Sequence, residues 1–210
     1  MLIQVLLADD HTMFRQGLRA LLEREGVRVI AEAGDGREAV QLARQTAPDV
    51  AILDLTMPEL NGIEAAREIA ASCPRTRTLL CTMHAGEAYI LEALRSGVHG
   101  YLLKSQAASQ LMQAIRDVHR GAVYMSPGIS RAVVESYRTH GDATRDPLSQ
   151  RERQVLQLVA EGRTTKDVAT LLGITTKTVE SHRSRIMNKL GLHQTASLVR
   201  YAIRRGIVQP

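Results

Sequence analysis

The sequence is poor in cysteine, and the two it has, Cys73 and Cys81, form no CxxC pair and no zinc-ligand spacing. That excludes a disulfide-stapled secreted scaffold and a cysteine-based zinc module. Both cysteines read as reduced thiols, Cys81 within a buried strand, and this fits a cytoplasmic address. No apolar run approaches the roughly 18–20 residues of a membrane span. The apolar start of the chain has no basic residues ahead of it and runs into Asp9-Asp10, so a signal peptide is not expected. No GxxxxGKS/T or GxGxxG loop is present, so a nucleotide is not the obvious ligand. Internal repeats and low-complexity tracts are also missing. What is left is a folded composition, 44% hydrophobic and 23% charged over 210 residues, long enough for two ordinary domains.

Charge is unevenly placed. Residues 1–125 carry 13 basic and 15 acidic residues (net −2), residues 126–146 carry 3 of each, and residues 147–210 carry 11 basic and 4 acidic (net +7). A basic surplus confined to the last third is the electrostatic footprint of a nucleic-acid-binding module, or simply a solvated basic surface.

The first 125 residues alternate short apolar strands with amphipathic helices. Strands are predicted at Ile3–Leu7, Val27–Ala33, Val50–Leu53, Thr78–Cys81 and Gly100–Leu103. Four of the five are nearly continuous apolar runs, as strands covered on both faces require. Helical patterns lie at Thr12–Arg24, Arg37–Gln45, Gly62–Ala71, Glu87–Ser96 and Ala107–Arg120, and Asp35 with Glu38 resembles a capping box. Five such units in series imply a doubly wound, five-stranded parallel sheet. The alternation stops near Ser126-Pro127-Gly128. A helix is expected around Ile129–Tyr137, then a linker, Arg138 to Pro147, rich in Gly, Asp, Thr and Pro. From Leu148 onward only helical segments follow: Gln150–Glu161, Thr165–Leu172, Thr176–Leu190 and Gln194–Arg205. The expected organisation is an α/β domain at 1–125, a linker with a short helix at 126–146, and a small all-α domain at 147–210.

In an open parallel sheet, ligands bind beyond the carboxyl ends of the strands. Here strand one ends in Asp9 and Asp10, strand three in Asp54, strand four in Thr82 and strand five in Lys104. Three carboxylates crowded without a cation repel one another. Hard oxygen donors in an incomplete cage suit Mg²⁺, which keeps part of its water shell and shares the rest with phosphate. Asp9, Asp10 and Asp54 are therefore the expected metal ligands. Asp54, at the middle of the sheet, is the expected nucleophile toward phosphorus, forming an acyl phosphate. Lys104 and the Thr82 hydroxyl would each bind a phosphoryl oxygen. His11 beside the acidic pair reads as a helix-start residue rather than a ligand.

Carried by Asp9-Asp10, "DLTMPELNG" with Asp54, "CTMH" with Thr82, and "GYLLK" with Tyr101 and Lys104, residues 1–125 resemble the receiver domain of bacterial two-component response regulators, a flavodoxin-like fold. The resemblance implies that Asp54 is the phosphoacceptor for a sensor histidine kinase. It also implies that the backbone carbonyl of Thr56 completes the Mg²⁺ shell, and that Thr82 and Tyr101 are a switch pair. Many relatives carry a side-chain amide where this chain has Thr56, a difference that bears on how long the phosphoryl group survives.

In the basic third, "TTKDVATLLGITTKTVESHRSRIMNKL" reads as a helix-turn-helix, with Gly173 in the turn and Thr175 capping the second helix. Val179, His182, Ile186 and Leu190 mark its buried stripe, where His182 is expected to be a satisfied structural histidine. Opposite lie Lys177, Glu180, Ser181, Ser184 and Asn188, able to meet base edges, while Arg183, Arg185 and Lys189 suit phosphates. With "LSQRERQVLQLVAEG", "KTVESH" and "KLGL", residues 147–210 resemble the LuxR-type helix-turn-helix of the NarL/FixJ class. Many relatives carry a base at the position of Glu180; an acid there favours a cytosine amino group and repels phosphate. The last helix carries Leu198, Val199 and Ala202 on one side; part of that surface must close the four-helix core, and the resemblance implies that the remainder forms the dimer contact on DNA.

The leading expectation is a phosphorylation-controlled transcription regulator that binds double-stranded promoter DNA as a homodimer, with RNA polymerase a candidate further partner and no membrane role. Two other readings stay open at this point: a small Mg²⁺-dependent phosphatase or phosphotransferase, and a DNA-binding protein whose first domain is an inert scaffold.

Overall fold

The computed structural model describes residues 2–127, 129 and 147–208. The chain divides into two compact units, Met1–Gly141 and Asp142–Pro210. The helix expected at Ile129–Tyr137 and the Arg138–Pro147 linker fall almost wholly outside the described residues.

The first unit runs β1 (Gln4–Ala8), α1 (Thr12–Arg24), β2 (Arg28–Ala33), α2 (Gly36–Thr46), β3 (Val50–Leu53), α3 (Gly62–Ser72), β4 (Arg77–Thr82), α4 (Glu87–Arg95), β5 (Gly100–Leu103), α5 (Ala107–His119) and β6 (Tyr124–Met125). All adjacent pairs are parallel, in the order β2-β1-β3-β4-β5-β6. The sheet therefore has six strands, not five. The sixth is two residues long and hydrogen-bonds only to β5, pairing Gly100 with Tyr124 and Tyr101 with Met125.

The strands are apolar throughout because successive side chains feed opposite layers. Leu6, Ala8, Ala51, Leu53 and Leu80 pack with α2, α3 and α4. Val5, Leu7, Val50, Ile52, Leu79 and Cys81 pack with α1 and α5. Asp35 caps α2 by accepting from Glu38 N at 2.8 Å. The return bond lands one residue early: Glu38 Oε2 accepts from Gly34 N at 2.7 Å, so this is not the reciprocal box expected. The loop after β3 folds back tightly, Gly62 N donating to the Leu55 carbonyl at 2.8 Å. A Cβ on Gly62 would sit 2.0 Å from the Asp54 carbonyl oxygen, so only glycine fits there.

The second unit is four helices: α6 (Gln150–Ala160), α7 (Thr165–Leu172), α8 (Thr176–Leu190) and α9 (Thr195–Arg204). Val155, Leu156, Leu158, Val168, Val179, Ile186, Leu198 and Ala202 form its core. Reciprocal capping boxes open α6 (Ser149 with Glu152) and α7 (Thr164 with Asp167). Gly173, at φ +63°, ends α7 in the left-handed conformation, and Thr175 accepts from Thr178 N to start α8. Among the described residues no helix is long and apolar enough to cross a membrane.

Candidate functional site

The ends of β1, β3 and β5 bring three of the expected residues into direct contact. Lys104 Nζ lies 2.7 Å from Asp9 Oδ2 and 2.9 Å from Asp54 Oδ2. Asp9 and Asp54 are buried, whereas Asp10 is exposed. Ligand atoms of Asp9, Asp10, His11 and Asp54 fall within 4.8 Å of one another. His11 is the N-cap of α1, as expected, but its ring also reaches the acids, with Nδ1 2.8 Å from Asp10 Oδ1. Asp54 Oδ1 accepts from Leu55 N at 2.7 Å, and Asp54 Oδ2, though close to Lys104, has no hydrogen bond of good geometry. A buried carboxylate oxygen so under-bonded, facing two further carboxylates, is a donor set that fits a hard divalent cation. Burial pushes the Asp54 carboxyl up to about 6 against the pull of Lys104. Burial opposes the Lys104 charge as well, but Asp54 and Asp9 outweigh it and raise that ammonium. The Lys104 Nζ also rests 4.7 Å from the centroid of Phe14, the chain's single phenylalanine.

Thr82 and Tyr101 are joined through one residue. His84 N donates to Thr82 Oγ1 at 3.2 Å, and Tyr101 Oη donates to the His84 carbonyl at 2.7 Å. Tyr101 is 2% exposed. Burial raises its phenol pKa, so the hydroxyl is a donor at any physiological pH. Thr56 is buried in the loop after β3.

In the second unit, Lys177, Glu180, Ser181, Ser184, Arg185 and Asn188 are exposed on α8 as expected. Arg183 is half-buried, its Nη2 3.2 Å from Thr195 Oγ1. Lys189 turns instead to α6, its Nζ 2.7 Å from the buried Glu152 Oε2. His182 lies toward the buried stripe, but its Nδ1 is buried with no hydrogen-bond partner, so it is not the satisfied histidine expected. Leu198 and Ala202 are 1% and 0% exposed. They close this unit's own core and offer nothing to a second copy; of the three expected dimer residues only Val199 is partly exposed.

Residues 5–116 match the family model described as response regulator receiver domain, and residues 146–202 match bacterial regulatory proteins, luxR family. This chain is a LuxR-type response regulator. It belongs to the two-component regulators of the NarL/FixJ class, a family of transcription regulators. Among curated relatives of this response regulator, the transcriptional regulatory protein MctR of Rhizobium johnstonii is 37% identical, over 98% of this chain and 95% of that one. The oxygen regulatory protein NreC of Staphylococcus carnosus is 38% identical, over 98% and 99%. Among solved structures, the RcsB response regulator of Salmonella typhimurium is 28% identical with a TM-score of 0.68, covering 95% of this chain and 96% of that one.

Three residues at the response regulator's rim escaped the sequence reading: Phe14 under Lys104, Arg15, which donates to the Asp9 carbonyl, and His84 between the two hydroxyls. Their spacing from the residues they serve follows no motif. The Ser149-x-x-Glu152 box was readable, since S-x-x-E before an apolar run is its signature.

Proposed function

We propose that this regulator takes a phosphoryl group on Asp54 from a sensor histidine kinase, and that the acyl phosphate controls dimerisation and promoter binding. The observation that carries this is Lys104 bridging Asp9 and Asp54 at one rim of a parallel sheet. An Asp54 carboxylate oxygen attacks phosphorus while the phosphorus–nitrogen bond to the donor imidazole breaks, and the proton needed by the leaving imidazole comes from solvent. Asp9, Asp10, Asp54 and the Thr56 carbonyl would hold Mg²⁺, which when bound neutralises charge on the transferred group. Lys104 binds one phosphoryl oxygen and Thr82 another.

Thr82 Oγ1 accepts from His84 N and keeps its own hydrogen to donate to a phosphoryl oxygen, and the same residue's carbonyl holds Tyr101. A shift of Thr82 toward the phosphoryl group would pass through the His84 backbone to Tyr101, coupling the two switch hydroxyls. On DNA, Lys177, Glu180, Ser181, Ser184 and Asn188 read base edges, and Arg183 and Arg185 hold phosphates. Lys189, occupied by Glu152, acts chiefly within the domain. RcsB, 28% identical, has been solved as dimers bound to DNA, which supports dimeric DNA binding by this chain. RNA polymerase is a further partner in this reading, and the cytoplasm its location. In this reading residues 1–125 are the receiver, 126–146 the linker and 147–210 the DNA-binding domain.

The test is labelling with radioactive acetyl phosphate and Mg²⁺. The wild-type chain takes one acid-stable, base-labile phosphoryl group, and Asp54→Asn takes none. Persistent labelling of Asp54→Asn would overturn the assignment.

A further inference from the structure

One cation beside the acidic rim plays no part in the scheme above. Arg15, on the first turn of α1, has a side chain only 17% exposed, and its Nη1 donates to the backbone carbonyl of Asp9. That carbonyl belongs to the peptide joining Asp9 to Asp10. On its other side Arg15 is anchored by Glu32 of β2, with Nε 3.3 Å from Oε2. Glu32 is held in turn by Arg19, whose Nη1 lies 2.6 Å from Oε1. Beneath the rim, Arg15 borders a cavity of about 10 Å³ together with Asp9, Asp54 and Cys81.

Asp9 needs little help, since its carboxylate already accepts from His11 N at 2.9 Å and contacts Lys104. Asp10 does need it. Its carboxylate is partly exposed and, among the described residues, meets only the half-exposed His11 Nδ1 at 2.8 Å, so its direction rests largely on the peptide that carries it. A guanidinium placed so near a cation site would repel the cation. Glu32 offsets that charge, leaving Arg15 as a rigid donor.

We propose that Arg15, neutralised by Glu32, is a positioning residue for the metal-binding rim: it fixes the Asp9–Asp10 peptide so that the Asp10 carboxylate faces the cation. This rests on the Mg²⁺ reading of the rim. The sign of the effect separates positioning from simple electrostatics. By Coulomb's law alone, deleting a cation near the site should tighten Mg²⁺ binding; if the cation orients a ligand, deleting it should loosen binding.

The experiment is calorimetric titration of Mg²⁺ into the full chain, wild type against Arg15→Ala, Arg15→Lys and Asp10→Asn, with unfolding temperatures measured in parallel. A second readout is the Mg²⁺ dependence of acetyl phosphate labelling. Arg15→Ala is expected to weaken Mg²⁺ binding about 10-fold, the low end for groups that orient metal ligands. The Mg²⁺ concentration for half-maximal labelling should rise in step, while the rate at saturating Mg²⁺ stays unchanged. Arg15→Lys keeps the charge but loses the planar fork, so Coulomb's law alone predicts unchanged binding whereas positioning predicts weaker binding; it carries the test even if Arg15→Ala folds poorly. Binding that is unchanged or tighter in either folded variant overturns the proposal. If wild type binds no Mg²⁺, or Asp10→Asn binds it equally well, the metal reading itself has failed, and the proposal with it.

Discussion

Lys189 is the residue on which two physical accounts of the basic helix part. As a phosphate contact it would contribute mainly to DNA affinity, and as the partner of Glu152 it contributes mainly to stability. Glu152 is 3% exposed and accepts from Ser149 N at 2.7 Å and from Lys189 Nζ at 2.7 Å. Removing Lys189 leaves a buried carboxylate with its cap but without its cation. A charge-assisted hydrogen bond contributes about 1.5–3 kcal/mol. The Lys189 side chain is 41% exposed, so solvent screening reduces this to about 1–2 kcal/mol. That is a factor of about 5–30 in local opening. Burial works against the Glu152 charge, but the bonds from Lys189 and Ser149 outweigh it and hold the carboxyl below its ordinary 4.5. A depressed folded pKa means the unfolded chain binds more protons, so this stability is present above that value and is lost as pH falls through the folded one. The assay is backbone hydrogen exchange of the 150–160 and 176–190 segments in the full chain at neutral pH, repeated at lower pH, with the salt dependence of DNA binding beside it. Lys189→Ala should exchange about 5–30 times faster at neutral pH, the difference should narrow in acid, and the salt slope should hardly change. Unchanged exchange with a salt slope flatter by about one unit would refute the reasoning and return Lys189 to the phosphate contacts.

Two further substitutions probe the receiver and one the DNA face. Gly62→Ala places a Cβ 2.0 Å from the Asp54 carbonyl, so it should destabilise the receiver by about 1–3 kcal/mol and depress labelling, read by calorimetry and phosphoryl incorporation. Gly17→Ala, on an exposed turn of α1 with nothing within 4 Å, should instead raise stability by about 0.5–1 kcal/mol in the same calorimeter. Glu180→Ala should relax base preference at one position of each half-site and raise affinity for unrelated duplexes; an unchanged selected sequence would remove Glu180 from readout.

The helical apolar period placed α1, α7 and α8 at their observed ends, and α7 and α8 are further marked by Thr164 and Thr175 at their starts and Gly173 and Gly191 at their ends. The β6 strand was not legible: Tyr124–Met125 carries no pattern of its own, and its pairing exists only because β5 presents a free edge. The acidic rim was legible because each of its residues terminates a strand, and the parallel sheet gathers strand ends. Contacts across long sequence separations were not. Glu152 and Lys189 are 37 apart and Tyr101 and His84 are 17 apart, and nothing in either sequence position announces the partner. The last helix misled for a related reason. Its apolar side was expected to serve both the core and a second copy, but a four-helix unit this small uses both Leu198 and Ala202 for its own core.

The central claim is that chemistry at Asp54 governs DNA binding by α8. The most direct measurement is selection of duplexes from a random pool by the full chain, with and without acetyl phosphate and Mg²⁺, alongside Asp54→Asn. The account predicts that one two-fold symmetric site is enriched on phosphorylation, and only when Asp54 is present. Equal enrichment of the same site in all conditions would contradict it.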